Sequence, residues 1–316
     1  MVVPGCATKQ ITPRHRDRQP NQHTLVPRKK HPLQSTLRHR PDHPMGGAIT
    51  VPAVFPFPGG KSRLSSWILE HVPANHTCFV EVFGGAAGVL FNKDPAVSTV
   101  EVYNDRDEDL VQFFRVLREQ PDELVAWLDA VPFARAVHDH WADRYYNGYR
   151  ASDPIARAGQ FFFLRYSQFG AGYESKNGFG TSKVRSRALS FANKKDRLQK
   201  FADRFRDVII ENLDWVAVIE KYDGPETVFY LDPPYLGTED YYPVHDIDHA
   251  ELIGALETID GRFVLSYQDL PNGLEDYNVV AKGSNNFIGN GLTGSANETT
   301  EHLVMNFDPT SVEAVG

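Results

Sequence analysis

The chain of 316 residues contains only two cysteines, and no apolar run in it approaches the roughly 20 residues that a membrane helix needs. Cys6 and Cys78 are too few for a secreted disulfide scaffold, which favours a reducing compartment. We therefore expect a cytoplasmic protein without membrane association. The charged residues of the N-terminus are followed by no apolar segment, so we expect no signal peptide.

The sequence also lacks the spacing of a metal site. The segment HDHW (138–141) holds two histidines two positions apart. On a helix these side chains point to different faces, and no third ligand is spaced to help. We therefore predict no bound metal.

The acidic balance of the chain, 41 Asp and Glu against 33 Lys and Arg, hides an uneven distribution. Residues 131–206 hold fifteen basic and six acidic residues, and residues 1–44 hold nine basic and two acidic. A basic segment set into an acidic body suggests a nucleic-acid partner for residues 131–206. A basic surface that is merely solvated is the alternative.

The chain divides by composition into a tail, a main domain and an insert. Residues 1–44 are rich in Pro, Arg, His and Gln and have no apolar periodicity, so we interpret them as a disordered basic tail. Met45 follows, which leaves open either a translation start there or a DNA-tethering arm before it. We assign 45–130 and 207–316 to the main domain and 131–206 to a largely helical insert.

Strand patterns alternate with helix patterns through the main domain. Helices are predicted in EDLVQFFRVLRE (108–119) and DIDHAELIGALETI (246–259). The predicted strands are 77–83, 98–104, 207–213, 227–232, 261–267, 277–283 and 301–307. This alternation predicts an α/β fold with a mostly parallel sheet and helices on both faces.

The segment VFYLDPPY (228–235) runs from an apolar strand into an acid, two prolines and a tyrosine. Two prolines fix two φ angles and make a stiff corner. Open α/β sheets bind their ligands at the carboxyl ends of parallel strands, so this corner is a candidate site. An ordinary turn is the alternative.

The first predicted strand ends in VEVFGGAAGV (80–89), and we expect a helix after its glycines. Glycines let a ligand approach the backbone closely. Asp105 follows the next strand, where adenosine-binding sheets place an acid that accepts hydrogen bonds from ribose hydroxyls. The spacing is not G-x-G-x-x-G, so the sequence indicates an adenosine-containing cofactor that need not carry phosphates.

In this order, FPGGKSRL (57–64), VEVFGGAAGV, YNDRDEDL (103–110) and LDPPY (231–235) resemble the motifs of Dam-type (D12 class) DNA adenine-N6 methyltransferases. The shorter segments LRYSQFG, NLDW, SYQD and EHLVMNF extend the resemblance over about residues 53–307. With the cofactor motif first and DPPY last, the order is the alpha arrangement. The resemblance implies a Rossmann-like S-adenosylmethionine-dependent methyltransferase fold with an inserted DNA-recognition domain. It also implies methylation of a flipped-out adenine in double-stranded DNA, as in restriction-modification, by a monomer or weak dimer.

The resemblance also implies roles for individual residues. Asp232 and the Pro233 carbonyl would accept the two N–H groups of the adenine amine, Pro234 would stiffen the corner, and Tyr235 would stack on the base. The implied cofactor-binding residues are Phe57, Gly60, Lys61, Glu81, Phe83, Gly84, Gly85, Asp105 and Asp214. The predicted DNA contacts are the insert cations Lys183, Arg185, Arg187 and Lys194.

Two segments depart from the family pattern, and three other functions stay open. The loop reads FGGAAG where the family commonly has G-x-G or G-A-G, and FPFPGGK replaces a version that contains tryptophan. The alternatives are methylation of cytosine N4, methylation of adenine in RNA, and a DNA-binding module without catalysis. Asp232 favours adenine, because cytosine-N4 enzymes more often carry serine at that position.

Overall fold

A seven-stranded sheet forms from the seven apolar segments predicted as strands. The structure is a computed structural model that describes residues 51–170, 172–235, 242, 246–286, 297–311 and 313. The predicted tail, 1–44, lies outside the described residues. The strands are β1 (Cys78–Glu81), β2 (Val100–Asn104), β3 (Ile209–Glu211), β4 (Thr227–Leu231), β5 (Arg262–Tyr267), β6 (Asn278–Asn286) and β7 (Asn297–Met305).

The strand order in the sheet is β3-β2-β1-β4-β5-β7-β6. The five strands from β3 to β5 pair in parallel, and β7 pairs antiparallel with both β5 and β6. β4 lies inside the sheet and all five of its residues are buried, as its uninterrupted apolar sequence requires. The predicted mostly parallel α/β fold is confirmed.

Nine helices accompany the sheet in the described part of the chain, after a short 3-10 turn at Lys61–Arg63. They are α1 (Ser65–Leu69), α2 (Glu108–Glu119), α3 (Pro121–Asp129), α4 (Arg135–Tyr146), α5 (Pro154–Ser167), α6 (Arg187–Lys195), α7 (Leu198–Phe205), α8 (Trp215–Tyr222) and α9 (His249–Leu256). None of the described helices has the length and apolar character that a membrane span needs.

The helices cover both faces of the sheet. Apolar side chains of α8 and α9 pack on one face, in a core that includes Val80, Phe229 and Leu265. Those of α1, α2, α5 and α7 join the core on the other face. Helix α2 begins where Asp107 caps the backbone N–H of Asp109, and its buried face follows the predicted apolar spacing.

Residues 131–206 supply α4 to α7 between β2 and β3. Helix α5 packs on α2 and α3, and α7 packs on α2, so the basic segment adds directly to the helical layer of the main domain. Residues 47–316 form one compact unit. The division into a main domain and an insert at 131 and 206 stays a prediction.

The helix expected after the glycine loop is absent from residues 84–93, which form consecutive turns, so this prediction was wrong. Gly85 and Ala87 have φ values of 48° and 54°, in the left-handed region that a helix excludes. The backbone N–H groups of Val89 and Leu90 donate to the Glu81 carboxylate, at 3.3 and 3.2 Å. A carboxylate therefore organises this loop.

Candidate active site

The carboxyl edge of the sheet brings the three predicted motifs together. Glu81 on β1 lies in register with Tyr103 on β2 and with Tyr230 on β4. Two residues further along each parallel strand, Phe83, Asp105 and Asp232 therefore leave the sheet side by side. Register alone explains why segments far apart in sequence meet at one site.

A cleft enclosing about 910 Å³ of empty space, part of it open to solvent, lies at this edge. All four sequence motifs contribute to its wall. Its lining includes Phe57, Gly60, Lys61, Glu81, Phe83, Gly84, Gly85, Asp105, Asp232 and Pro234 among the predicted residues, together with Arg106, Asp107, Leu213, Trp215, Tyr242 and Asp246. Of the predicted catalytic and cofactor residues, Pro233, Tyr235 and Asp214 are not part of the lining.

Gly84 and Gly85 of the loop have no room for a side chain. A Cβ on Gly84 would sit 2.2 Å from Cε2 of Tyr103 and 2.8 Å from the carbonyl oxygen of Asn104. A Cβ on Gly85 would sit 2.7 Å from Cε1 of Phe57, and its φ of 48° is one that side chains disfavour. The loop backbone thus forms a bare wall of the cleft.

The segment before the first helix carries Lys61 to the DPPY corner. Its ammonium nitrogen lies 2.8 Å from Oδ1 of Asp232 and 3.5 Å from Oε1 of Glu301, and it donates to the carbonyl of Gly59 at 3.0 Å. Burial lowers the pKa of Lys61, but the two carboxylates outweigh burial and hold this pKa above its usual value. Lys61 is therefore a buried cation at the carboxyl edge of the sheet.

Asp232 stands at the end of β4 with Oδ1 accepting from both Lys61 and the hydroxyl of Tyr235, the latter at 3.1 Å. Burial raises the pKa of its carboxyl to about 6, with Lys61 lowering the pKa and Glu301 raising it. Both of these contacts are made through Oδ1, and Oδ2 has no hydrogen bond to the described residues.

Tyr235, predicted to offer a face for stacking on the base, already contacts other aromatic and charged groups. Its ring stacks on Tyr267, with centroids 5.4 Å apart and planes at 26°, and the Lys61 ammonium lies 4.8 Å from its centroid. Its hydroxyl lies within hydrogen-bond distance of both Glu301 and Asp232, and its single hydrogen is donated to one of them at a time. At least one face of the ring is therefore already covered by protein.

Two more carboxylates of the cleft are held by backbone N–H groups. Asp105 accepts from Gly85 and from Asp107, each at 2.8 Å, and burial, with Asp107 adding to its effect, raises the pKa of Asp105 to about 7. Burial likewise raises the pKa of Glu81 to about 8, although the hydrogen bonds from two backbone N–H groups of the loop lower this pKa. Both acids shape the glycine loop and face the cleft.

Asp214 is not part of the cleft lining, and its contact with the cofactor stays a prediction. It begins α8 by accepting from the backbone N–H of Val216 at 3.1 Å, its side chain is 44% exposed, and Arg106 lies 3.6 Å away. Its neighbours Leu213 and Trp215 line the cleft instead. An aspartate followed by an apolar run is a helix-start signal, and Asp214 caps α8 in this way.

The four predicted DNA contacts fall into two kinds. Lys183 and Arg185 are exposed, and their side chains make no hydrogen bond or ion pair with the described residues. Arg187 donates to the carbonyls of Tyr166 and Gln168, at 2.6 and 2.8 Å. Lys194 donates to the carbonyl of Ala53 at 3.1 Å, and burial lowers its pKa. Arg187 and Lys194 thus serve the fold, which the charge pattern alone did not reveal.

Sequence reasoning assigned no role to Glu301 or Tyr242. Glu301 on β7 is 2% exposed, and the signal was an acid within an otherwise apolar strand segment, EHLVMNF. Tyr242 lies close to Gly59, where an added Cβ would sit 2.6 Å from its hydroxyl. Both residues border the cleft or its buried charges.

The HDHW segment is structural in the described chain. His138 is buried and bonds through Nδ1 to the Ser167 hydroxyl and through Nε2 to the carbonyl of Asn177. It therefore links α4 to the end of α5. The described residues contain no group of three or more His, Cys, Asp or Glu side chains that could hold a metal ion.

Comparison with known proteins identifies one family. The model of the D12 class of N6 adenine-specific DNA methyltransferases matches residues 57–280. This range includes the glycine loop, Asp105, the basic segment and the DPPY corner. It ends before β7 and Glu301.

Three curated relatives match 58% of the chain each. The chain is 22% identical over 186 residues to the type II methyltransferase M.CviBI of Paramecium bursaria Chlorella virus NC1A, covering 68% of that protein. It is 25% identical to modification methylase StsI of Streptococcus sanguinis and 24% identical to modification methylase LlaI of Lactococcus lactis subsp. lactis. The matches span only 28% and 29% of these two longer proteins. The resemblance in the motifs is thereby confirmed, and the chain belongs to the D12 class of N6 adenine-specific DNA methyltransferases.

Proposed function

We propose that this chain transfers a methyl group from S-adenosylmethionine to the N6 amine of an adenine in double-stranded DNA. The observation that carries the proposal is the position of Asp232, in the same cleft and at the same sheet edge as the bare backbone of Gly84 and Gly85. A hydrogen-bond acceptor for an amine thus faces a wall built for a small ligand. Family membership supports the choice of adenine.

The cleft fits S-adenosylmethionine in shape and in charge. The absence of side-chain volume at Gly84 and Gly85 allows close approach of the ligand to the backbone. The lining side chains include two cations, Lys61 and Arg106, and five acids: Glu81, Asp105, Asp107, Asp232 and Asp246. An acid-rich cleft favours a cationic ligand, and the cofactor, when bound, supplies an electrophilic methyl group on a sulfonium centre.

Each predicted cofactor residue that lines the cleft has a chemistry suited to part of this ligand. Asp105 accepts hydrogen bonds from ribose hydroxyls through the lone pairs that its two backbone donors leave. Phe57, Phe83, Leu213 and Trp215 provide apolar surface. Asp214 is not part of this proposal.

Asp232 and the carbonyl of Pro233 each accept one N–H of the adenine amine in the proposed mechanism. The lone pair of this amine is delocalised into the ring, so holding both hydrogens helps the nitrogen to direct that lone pair at the methyl carbon. The bound cofactor would supply the methyl group, which would leave its sulfur for this nitrogen. The surplus proton then leaves the nitrogen for Asp232 or water, which agrees with a carboxyl pKa of about 6.

An adenine in a duplex reaches a cleft of this kind only after leaving the base stack, so the proposal includes base flipping. Lys183 and Arg185 are the predicted phosphate or base contacts, because both are exposed and uncommitted to the fold. The expected setting is the cytoplasm, and the expected state is a monomer or weak dimer.

Methyl transfer from tritiated S-adenosylmethionine to unmethylated plasmid DNA tests the proposal. Digestion to nucleosides separates N6-methyladenosine from N4-methylcytidine, and parallel reactions with RNA test the other substrate. We expect label in N6-methyladenine of DNA only, and its rate of incorporation to fall at least about a hundredfold with Asp232→Ala. Label in cytosine or in RNA would establish an alternative, and cofactor binding without transfer to any substrate would indicate a module without catalysis.

A further inference from the structure

Glu301 is a buried acid near the carboxyl edge of the sheet, and the proposed mechanism assigns it no role. It lies on β7, two strands away from β4, and is 2% exposed. Its Oε1 accepts from the Tyr235 hydroxyl and lies 3.5 Å from the Lys61 ammonium. A buried carboxylate needs such partners, but these partners are the same two groups that contact Asp232.

Four side chains form a closed ring of contacts. Lys61 bridges Asp232, at 2.8 Å, and Glu301, while the Tyr235 hydroxyl lies between the same two carboxylates and donates its one hydrogen to either of them. Both donors reach Asp232 through Oδ1. The ring therefore holds the Asp232 side chain from one oxygen and leaves its other oxygen for a substrate amine.

We propose that Glu301 is a positioning residue for methyl transfer, which holds Lys61 and Tyr235 on Oδ1 of Asp232 so that Oδ2 meets the adenine amine. The inference rests on the proposed function of Asp232. Without the Glu301 carboxylate, the Lys61 ammonium has one anionic partner in the ring where it had two, and the Tyr235 hydroxyl loses its contact with Glu301. The Asp232 side chain would then be free to turn toward Lys61 and away from the amine.

The charge of Glu301 also has a measurable electrostatic effect on Asp232. Glu301 raises the pKa of Asp232, whereas Lys61 and the Tyr235 hydroxyl lower it. Removing the charge of Glu301 should therefore move the acid side of the rate profile to lower pH, because Asp232 ionises more easily. The titratable groups that interact with Asp232 are Lys61, Glu81, Tyr230, Tyr235, Tyr242 and Glu301.

The test compares Glu301→Gln with wild type in single-turnover methyl transfer to DNA between about pH 5 and 9. Glutamine keeps the size and one acceptor oxygen but removes the charge. We expect the transfer rate constant to fall by about tenfold or more at the plateau, since small misplacements of a reacting group have large effects. The acid-side midpoint should move to lower pH, while the dissociation constant of S-adenosylmethionine changes less than about threefold.

Glu101→Gln is the matched control, because Glu101 is also buried and paired, with Lys93 at 3.0 Å and Arg204 at 2.6 Å, but lies outside the cleft. It should leave the acid-side midpoint unchanged. Tyr235→Phe provides a second variant should Glu301→Gln fail to fold. Its midpoint should move to higher pH, because the lost hydroxyl lowers the pKa of Asp232.

These outcomes separate the two proposals. A wild-type rate and an unshifted midpoint in Glu301→Gln would overturn the role of Glu301 and leave the proposed function intact. For Tyr235→Phe, an unshifted midpoint with a wild-type rate would do the same. An absence of transfer by the wild type would overturn the proposed function itself, and with it this inference.

Discussion

Replacing Arg187 by alanine tests whether this cation holds the basic segment together or contacts DNA. Its guanidinium donates to the carbonyls of Tyr166 and Gln168, and an added Cβ on Gly180 would sit 2.4 Å from its Cζ. A hydrogen bond to a charged group contributes about 1.5–3 kcal/mol. The loss of two such bonds should therefore cost about 3 kcal/mol, which lowers the thermal midpoint of a domain of this size by about 6 °C.

Arg185 is the matched comparison, because it lies two residues earlier, is exposed, and makes no side-chain contact of this kind. Arg185→Ala should change the thermal midpoint by less than about 1 °C, as expected for an exposed side chain. If Arg185 contacts a phosphate, the salt slope of DNA binding should fall by about one unit. Arg187→Lys completes the set, since a single ammonium keeps the charge but not the planar geometry of the guanidinium.

Thermal denaturation and the anisotropy of a labelled duplex, titrated between about 50 and 200 mM salt, measure the two effects separately. We expect Arg187→Ala and Arg187→Lys to lower the thermal midpoint. Arg185→Ala should lower only the salt slope of DNA binding. A stable Arg187→Ala with a reduced salt slope would refute the structural role. Arg187 would then contact DNA, as the charge pattern predicted.

Three further outcomes follow from the cleft. Asp232→Ala should bind S-adenosylmethionine within a few-fold of wild type but transfer methyl groups at least about a hundredfold more slowly, measured by calorimetry and single turnover; wild-type turnover would remove Asp232 from the mechanism. Gly84→Ala should cost about 1–3 kcal/mol in denaturant unfolding because its Cβ meets an aromatic ring and a carbonyl, whereas Gly254→Ala, with open space around its Cβ, should be neutral or stabilising; equal stabilities would contradict the packing argument. Burial raises the pKa of Glu81 to about 8 and that of Asp105 to about 7, and a bound cation favours their ionised forms, so the affinity for S-adenosylmethionine should rise between pH 6 and 8. A dissociation constant independent of pH would count against that charge complementarity.

The sequence was sufficient to predict the sheet, because every strand is marked by a short apolar run. All seven predicted strand segments overlap observed strands, and α2 covers the predicted residues 108–119. The register was not predictable, since it depends on contacts between segments up to about 150 residues apart. The helix expected after Gly84–Gly88 is absent, since consecutive turns occupy residues 84–93 and the Glu81 carboxylate accepts from two of their backbone N–H groups.

The sequence predicts which residues meet in the cleft when they belong to a motif with one chemical role. It is less informative for a side chain whose type suits two roles. Gly84, Gly85, Asp105 and Asp232 meet in one cleft, as their positions after parallel strands required. Asp214, Arg187 and Lys194 have residue types that suit a ligand or a cap equally well. The structure shows their hydrogen bonds to carbonyl and N–H groups, which depend on tertiary structure and leave their predicted ligand contacts as predictions.

The arrangement of charge at the DPPY corner explains why the site draws on four separate parts of the chain. A carboxylate that must accept hydrogen bonds from an amine has to stay ionised while buried, and burial opposes ionisation. Lys61, in the segment before β1, supplies the compensating positive charge. Glu301 on β7 also contacts this cation. A single cation between two ionised carboxylates leaves the cluster with a net negative charge. That excess charge suits a corner that receives a sulfonium donor and releases a proton, and neither DPPY nor the glycine loop could provide it alone.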